Sequence, residues 1–352
     1  MIESALLWYD LFFSVLKDMV FVLDQYYMCV TNKTINGNQC TVAWYVDDNK
    51  ISHVEQEVVD NIVAKIRKRF PGLTISTGTE HTFLGIRIKY LDYSTVSLNM
   101  RDYIQEVVND FGEDVSQMVS TPAARWLFAV SNARKLKWER VEMFSLLVAK
   151  LLWVFQCVRV DCSPAVAFLC TRVKNPDVED WKKLKRLISF LHQTIDDVRI
   201  IGADDLLKIQ NFIDSSHAVH EYMKGHTGGT ITFGTGVVSV KSSKQKMNLR
   251  SSNETEVIGD SEYLPLNVWF QCFMEAQGYT LGSNLLWQEN EGAQRMAENR
   301  NMSCSSKSRH IAIKFFWITD RVKQGLRCVQ HCPTDIMLAD FFTKPLQGSF
   351  VE

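Results

Sequence analysis

The stretch TVAWYVDDNKISHV, residues 41–54, sets two adjacent carboxylates, Asp47 and Asp48, directly after a run of strand formers. Paired acids on a turn can hold a hard divalent cation, because Mg²⁺ prefers carboxylate oxygens. Successive strand residues point to opposite faces, so one of the two is the principal ligand unless the chain bends between them. The competing reading is plain turn chemistry, since Asp-Asp is common at hairpin tips. His217, His220 and His226, and the group Cys328, His331 and Cys332 in CVQHC, invite a zinc reading. No CxxC pair accompanies them, and His217 and His220 fall on opposite faces of an extended run. A loop role for the histidines and core packing for CVQHC are therefore the expectations. Lys241, Lys244 and Lys246, with Lys182, Lys183, Lys185 and Arg186, either track a nucleic-acid backbone or form solvated faces.

Periodicity shows which elements must position these groups. SALLWYDLFFSVL predicts a buried amphipathic helix, too short and too interrupted by Asp10, Lys17 and Asp18 for the ~20 apolar residues of a membrane span. Asn36-Gly37 between two strand-like runs predicts a tight hairpin, whose second strand delivers the aspartate doublet. Val58, Val59, Ile62, Val63, Ile66 and Phe70 recur at helical spacing, and FLGIRIKYL alternates as a half-buried strand. YIQEVVNDF, FSLLVAKLLWVFQCV, AVAFLCTRV and DWKKLKRLISFLHQT make the region up to about residue 200 helical. Past Gly202, KIQNFIDSS, TITFGTGVVSVK and KMNLRSS read as three strands. A helix from Glu254 to Ala276, the strand NLLWQ, a helix, the strand LRCVQH and a final helix from Asp335 follow. The expected fold class is α/β, α+β overall.

Composition sets bounds. With 352 residues the chain has room for two or three packed units, and 46% hydrophobic with 22% charged residues excludes a disordered or fibrous class. A net charge of −1 leaves any nucleic-acid contact to local basic patches. Nine cysteines, an odd count without paired spacing, read as reduced intracellular thiols.

YVDD and FLGIRI come first, and RVDCSPAVAFLCTRVKNP before DWKKLKRLISFLHQT comes next. SSKQKMNLRSSNETE, QEN, SRHIAIKFF and CPTDIMLADFFTKPL follow in turn. This ordered series resembles the copia-type (Pseudoviridae) LTR retrotransposon Pol polyprotein over nearly the whole chain. The resemblance implies a truncated reverse-transcriptase palm over residues 1–100, a helical thumb and connection region over 101–203, and an RNase H-like domain over 204–352. That last domain is expected to be a mixed sheet with flanking helices. The implied activities are RNA-directed DNA synthesis and hydrolysis of RNA in RNA–DNA hybrids. Both use two Mg²⁺ ions per site, replaceable by Mn²⁺, held ~3.5–4 Å apart to clamp the attacking and leaving oxygens.

Carried over residue by residue, the resemblance names Asp214 at the end of the first strand, Glu256 near the start of the long helix, and Asp340 opening the last helix. The fourth acid is Glu289 of Glu289-Asn290, where the family has the Asp of an Asp-Asn pair. These four are the implied catalytic and metal-binding residues of the nuclease, and Asp47 and Asp48 those of the polymerase. The family draws its remaining polymerase aspartate from a strand upstream of this hairpin, and the chain begins about 45 residues before the doublet. The expectation is therefore a polymerase remnant with no DNA synthesis by this chain alone. Exposed edge and apolar surface are expected near residues 26–46.

Plainer readings stand beside these. Asp214 fits a strand-end turn and Glu256 a helix N-terminal acid, while Ser251 or Ser252 before Glu254 resembles a capping box. Asp340, inside LADFF, fits a merely solvated role poorly. Glutamate at 289 keeps the charge and adds a methylene, and metal constellations tolerate only ~0.5 Å of error, so metal binding is expected to survive better than catalysis. Arg309, His310 and Lys244 are candidate phosphate contacts. The implied partners are an RNA–DNA hybrid or other nucleic acid and the upstream Pol region, with no membrane. The implied location is intracellular: cytoplasmic, in the family's virus-like particle, or nuclear. The alternative is a catalytically inactive retroelement relic that at most binds nucleic acid. Glu289 favours it, as does Arg300 where the family tends to have glycine.

Overall fold

The computed structural model describes residues 2–91, 95–206, 208–298, 318–320 and 328–348. It divides into two compact units, Met1–Tyr90 with Val268–Thr280, and Leu91–Asn267 with Leu281–Glu352.

In the first unit come α1 (Ile2–Asp18), β1 (Val22–Leu23), β2 (Val30–Ile35), β3 (Asn38–Tyr45), β4 (Asp48–Ser52), α2 (Gln56–Arg69), β5 (Glu80–Phe83) and β6 (Ile86–Tyr90). Strands β1 to β4 form an antiparallel sheet in chain order. Asn36 and Gly37, at φ +51° and +79°, make the two-residue β2–β3 turn. That left-handed pair suits the natural twist of a hairpin. Along β3 the buried residues alternate, Cys40, Val42 and Trp44, and meet Phe12 and Leu16 of α1 and Val58, Ile62 and Ile66 of α2. Strand period two and helix period 3.6 thus close one core. Tyr26, Met28, Tyr45 and Val46 are exposed, while Tyr27 meets Trp269 and Phe273 edge-on.

The second unit opens with β7 (Thr95–Asn99), followed by α3 (Arg101–Phe111), α4 (Trp138–Cys157), α5 (Ser163–Cys170), α6 (Val178–Gln193) and β8 (Arg199–Gly202). Strands β7 and β8 pair antiparallel around this helical insert. Phe144, Leu147 and Leu151 of α4, with Leu184, Leu187 and Ile188 of α6, are fully buried. Helix α6 starts on a reciprocal capping box of Asp177 and Asp180, which satisfies two otherwise unpaired backbone N–H groups.

Then come β9 (Lys208–His220), β10 (Lys224–Thr232), β11 (Val237–Asn248), α7 (Ser252–Ala276), β12 (Ser283–Gln288), α8 (Glu291–Glu298), β13 (Cys328–His331) and α9 (Asp340–Thr343). Among the described residues the sheet order is β11-β10-β9-β12-β13, with β11, β10 and β9 antiparallel and β12 and β13 parallel to β9. The chain is α/β, and this part is a five-stranded mixed sheet with flanking helices, as expected. None of the described helices is long and apolar enough to cross a membrane.

Three boundaries differ from the sequence reading. TITFGTGVVSVK is the end of β10, a turn and the start of β11, because Gly234 and Gly236 take positive φ there. Asp214 lies in the middle of β9, not at its end, since β10 continues to pair with β9 as far as His220. The helix expected from Asp335 is a single 3₁₀ turn at Thr334–Ile336, and α9 starts at Asp340.

Candidate active site

Parallel pairing brings the first two acids together. Gln288 of β12 is level with Ile213 of β9, so the next residues, Glu289 and Asp214, sit side by side at the sheet. The third acid depends on a glycine. Gly228 of β10 pairs with Asp214, and a Cβ there would come within 2.6 Å of Thr343 Cγ2 and 2.8 Å of the Phe342 carbonyl carbon. The missing side chain therefore lets α9 approach the backbone and present Asp340 beside Asp214. One carboxylate oxygen from each of Asp214, Glu289 and Asp340 lies within 4.8 Å of the others.

Hydroxyls hold two of these carboxylates. Thr343 Oγ1 donates to Asp214 Oδ2, and Thr334 Oγ1 donates to Glu289 Oε1. Underneath, Asn211 of β9, Asn267 of α7 and Asn284 of β12 form a buried amide triangle. Asn211 Nδ2 donates to Asn284 Oδ1 at 2.8 Å, and Asn284 Nδ2 donates to Asn267 Oδ1 at 3.0 Å. Such a satisfied network fixes the register of the two strands that carry Asp214 and Glu289.

Glu256, in the second turn of α7, is 6% exposed. The Ser215 backbone N–H donates to its carboxylate, yet its Oε2 is buried without a hydrogen-bond partner. Burial holds this carboxyl well above the usual range, and the charges of Asp214 and Asp260 push it further. Asp340 is raised to about 6, chiefly by burial, with Asp214 adding to the rise and the Lys344 hydrogen bond opposing it. Lys344 Nζ donates to Asp340 Oδ1 and stands 3.5 Å from Asp214 Oδ2. Burial works against that ammonium but is outweighed by Asp214, by the bond to Asp340 and by Glu289, so its pKa is raised.

This is an all-oxygen, multiply anionic donor set, the kind hard divalent ions select. Burial chiefly raises both Glu256 and Asp340 and acidic neighbours add to it, so a bound cation would offset part of each shift. The residues therefore fit a hard divalent cation.

The other sequence candidates fall elsewhere. Asp47 and Asp48 are exposed at the β3–β4 turn, where Tyr45 pairs with Asp48 and Val46 takes φ +52°. The Asp48 carboxylate accepts the Leu84 backbone N–H at 3.4 Å. Among the described residues, no third acid gathers with the doublet.

The histidines are not gathered for zinc. His217 Nδ1 pairs with Thr255 Oγ1, whereas His220 Nε2 meets His226 Nδ1 and His226 Nε2 meets Ser242 Oγ, each at 2.8 Å. Burial pulls His220 down to about 4 and His226 to about 3, with the nearby Lys244 ammonium adding to the first shift. Lys244 is half-buried on β11 opposite His226. Cys332 is buried in a small core with Phe212, Met337 and Ala339, and Cys328 is exposed. The eight described cysteines are free thiols. Arg300, Arg309 and His310 lie outside the described residues.

Asp260, Thr343 and Lys344 escape a sequence reading. Asp260 is 2% exposed and accepts from Gln288 Nε2 at 3.1 Å. Lys344 carries a usable signal, because it follows Asp340 by four residues, the spacing that joins side chains along a helix.

No family model matches the chain. Over 348 residues it is 24% identical to the "Retrovirus-related Pol polyprotein from transposon TNT 1-94" of Nicotiana tabacum, covering 96% of this chain and 26% of that protein. It is 27% identical over 306 residues to the corresponding polyprotein from transposon RE1 of Arabidopsis thaliana, covering 86% of this chain and 20% of the relative. The chain thus spans about a quarter or less of the length of these two polyproteins. Among solved structures, RNase H1 from the halophilic archaeon Halobacterium salinarum superposes at TM-score 0.28 with 9% identity. That overlap covers 38% of this chain and 90% of the other, a likeness too loose to carry weight.

Proposed function

We propose, for a chain whose homologues are copia-type Pol polyproteins, that its RNase H-like part hydrolyses the RNA strand of RNA–DNA hybrids with Mg²⁺. The supporting observation is the convergence of Asp214, Glu289 and Asp340 from β9, the end of β12 and α9; Glu256, with its buried unpartnered oxygen, stands outside that trio and feels the charge of Asp214. These four carboxylates would hold the ions, which when bound supply an activated water and neutralise charge developing on the phosphate. The chain's own part is orientation. Thr343 and Thr334 aim two carboxylates, the asparagine triangle fixes strand register, and Gly228 seats the helix that brings Asp340. The raised acids load with protons as the site empties, so metal capture and proton release are coupled.

The hybrid partner would be met by Lys244, with Arg309 and His310 as further candidate contacts, and the chain would act inside the cell. Asp47 and Asp48 are read as acids of the polymerase hairpin.

A labelled RNA–DNA hybrid incubated with the purified chain tests the nuclease. Mg²⁺-dependent cleavage is expected, with a loss of about a hundredfold or more in Asp214→Asn, because one misplaced ligand already costs that much. The second reading, an inactive relic, draws on Glu289 in place of the family's aspartate. Intact metal and hybrid binding without any cleavage would select it.

A further inference from the structure

Lys344 holds a position that an ordinary surface ion pair does not. Its ammonium reaches two carboxylates from separate elements, Asp340 at the start of the preceding helix α9 and Asp214 of the central strand. Asp214 is almost wholly buried, whereas the lysine side chain keeps 40% of its surface exposed. The cation therefore enters the acid cluster from the solvent side on a flexible stem. Pro345 follows immediately and lacks an N–H, so the backbone leaves the helix at this point. The group is thus anchored close to the acids by Asp340 and remains free to swing away.

We propose that Lys344 is a built-in counter-cation that takes part of a metal ion's place between Asp214 and Asp340 in the metal-free protein, and that a divalent ion must displace it to bind. This rests on the metal-site reading above. Three acids, Asp214, Glu289 and Asp340, bring carboxylate oxygens within 4.8 Å of one another, with Glu256 buried within reach of the Asp214 charge, and without a cation their repulsion opposes folding. The ammonium relieves part of that repulsion between Asp214 and Asp340 while leaving Glu256 Oε2 unpartnered. A cation that stabilises the empty state is a competitor for the filled one, because a ligand gains only its differential affinity over what it displaces. Lys344 therefore stabilises the metal-free fold and weakens metal binding, two effects of opposite sign from one side chain.

Calorimetric titration of the full chain with Mg²⁺ alone, and thermal melts in EDTA and in saturating Mg²⁺, separate these effects from a merely structural role. Lys344→Met keeps the stem and removes the charge, Lys344→Gln is a second neutral variant, and Lys344→Arg keeps the charge. The neutral variants should bind Mg²⁺ about tenfold more tightly and melt lower in EDTA, with the difference in melting closing at saturating Mg²⁺. The arginine variant should behave as the parent chain. Unchanged or weaker Mg²⁺ binding by a folded neutral variant overturns the proposal, as does a melting deficit that Mg²⁺ does not close. Absence of Mg²⁺ binding by the parent chain and by every variant overturns the metal-site reading itself, and this proposal with it.

Discussion

Glu256→Gln isolates the cost of keeping an acid where the fold does not want one. The parent carboxyl is buried, one of its oxygens has no donor, and Asp214 and Asp260 both oppose its charge. Leaving such an oxygen unsatisfied costs roughly 1–3 kcal/mol. Linkage gives an independent ceiling. With an unfolded pKa of 4.5, holding the carboxyl protonated in the folded chain at pH 7 costs at most about 3 kcal/mol, at 1.36 kcal/mol per pH unit. Glutamine removes the charge at constant shape, so in EDTA at pH 7 it should stabilise the protein by about 1–3 kcal/mol. At roughly 2–4 °C per kcal/mol for a unit of this size, the melting temperature should rise by several degrees.

The sign also fixes a pH dependence. Because the folded pKa lies above the unfolded one, the parent loses stability as pH rises above 4.5, and the advantage of glutamine should shrink towards zero near pH 4. In saturating Mg²⁺ the order should reverse, since the parent gains a ligand that the variant has lost. Denaturant or thermal melts in EDTA and in Mg²⁺ at pH 4 and pH 7 measure all four values. A variant less stable than the parent in EDTA at pH 7 would refute the reasoning, for it would mean that the carboxylate is held by partners and not retained against stability.

Glu289→Asp restores the shorter side chain and should raise hybrid cleavage at least about tenfold if one methylene misplaces the ligand; equal rates would remove position 289 from the constellation. Mg²⁺ affinity should climb between pH 5 and pH 7 as Asp340, raised to about 6, gives up its proton, which calorimetry in matched buffers reads directly. Gly228→Ala should cost about 1–3 kcal/mol by overpacking, because the new methyl meets the backbone of Phe342 and Ala339. It should also lower Mg²⁺ affinity by displacing Asp340. Stability and calorimetric titrations on the same protein check both effects.

Local chemistry was legible in the sequence, and long-range geometry was not. Asn36-Gly37 announces its hairpin because the turn needs only those two residues, and α2 announces itself through Val58, Ile62 and Ile66, all within one helix. The acids could be named only because several short strings occur in a family's order, for no spacing rule connects Asp214 with Asp340. Strand β10 was misread for a physical reason. KGHTGG is poor in the branched and aromatic residues that mark strands, yet Gly228 and Gly229 are what allow α9 and the Tyr263 ring of α7 to approach the sheet backbone. The feature that hid the strand is the one that seats the site. The asparagine triangle was invisible because its burial depends on the register of β9 against β12, and register is a property of the pair.

Glu289 shows where sequence and geometry pull apart. Against the aspartate that the family resemblance implies at this position the longer acid is expected to overshoot, yet its carboxylate lies within 4.8 Å of the Asp214 and Asp340 oxygens and accepts a hydrogen bond from Thr334. The backbone there leaves β12 immediately after Gln288, whose amide is engaged by Asp260, so the strand end is pinned and only the side chain can absorb the extra length. Affinity for a cation asks only that the charge be near, whereas in-line attack asks that each oxygen be fixed to within a fraction of an ångström. A tethered, slightly long carboxylate meets the first demand and strains the second. Metal titration and hybrid cleavage should therefore respond unequally to Glu289→Asp, with affinity changing little and turnover changing much. Parallel changes in both would place the fault in the cluster as a whole and not in the reach of one side chain.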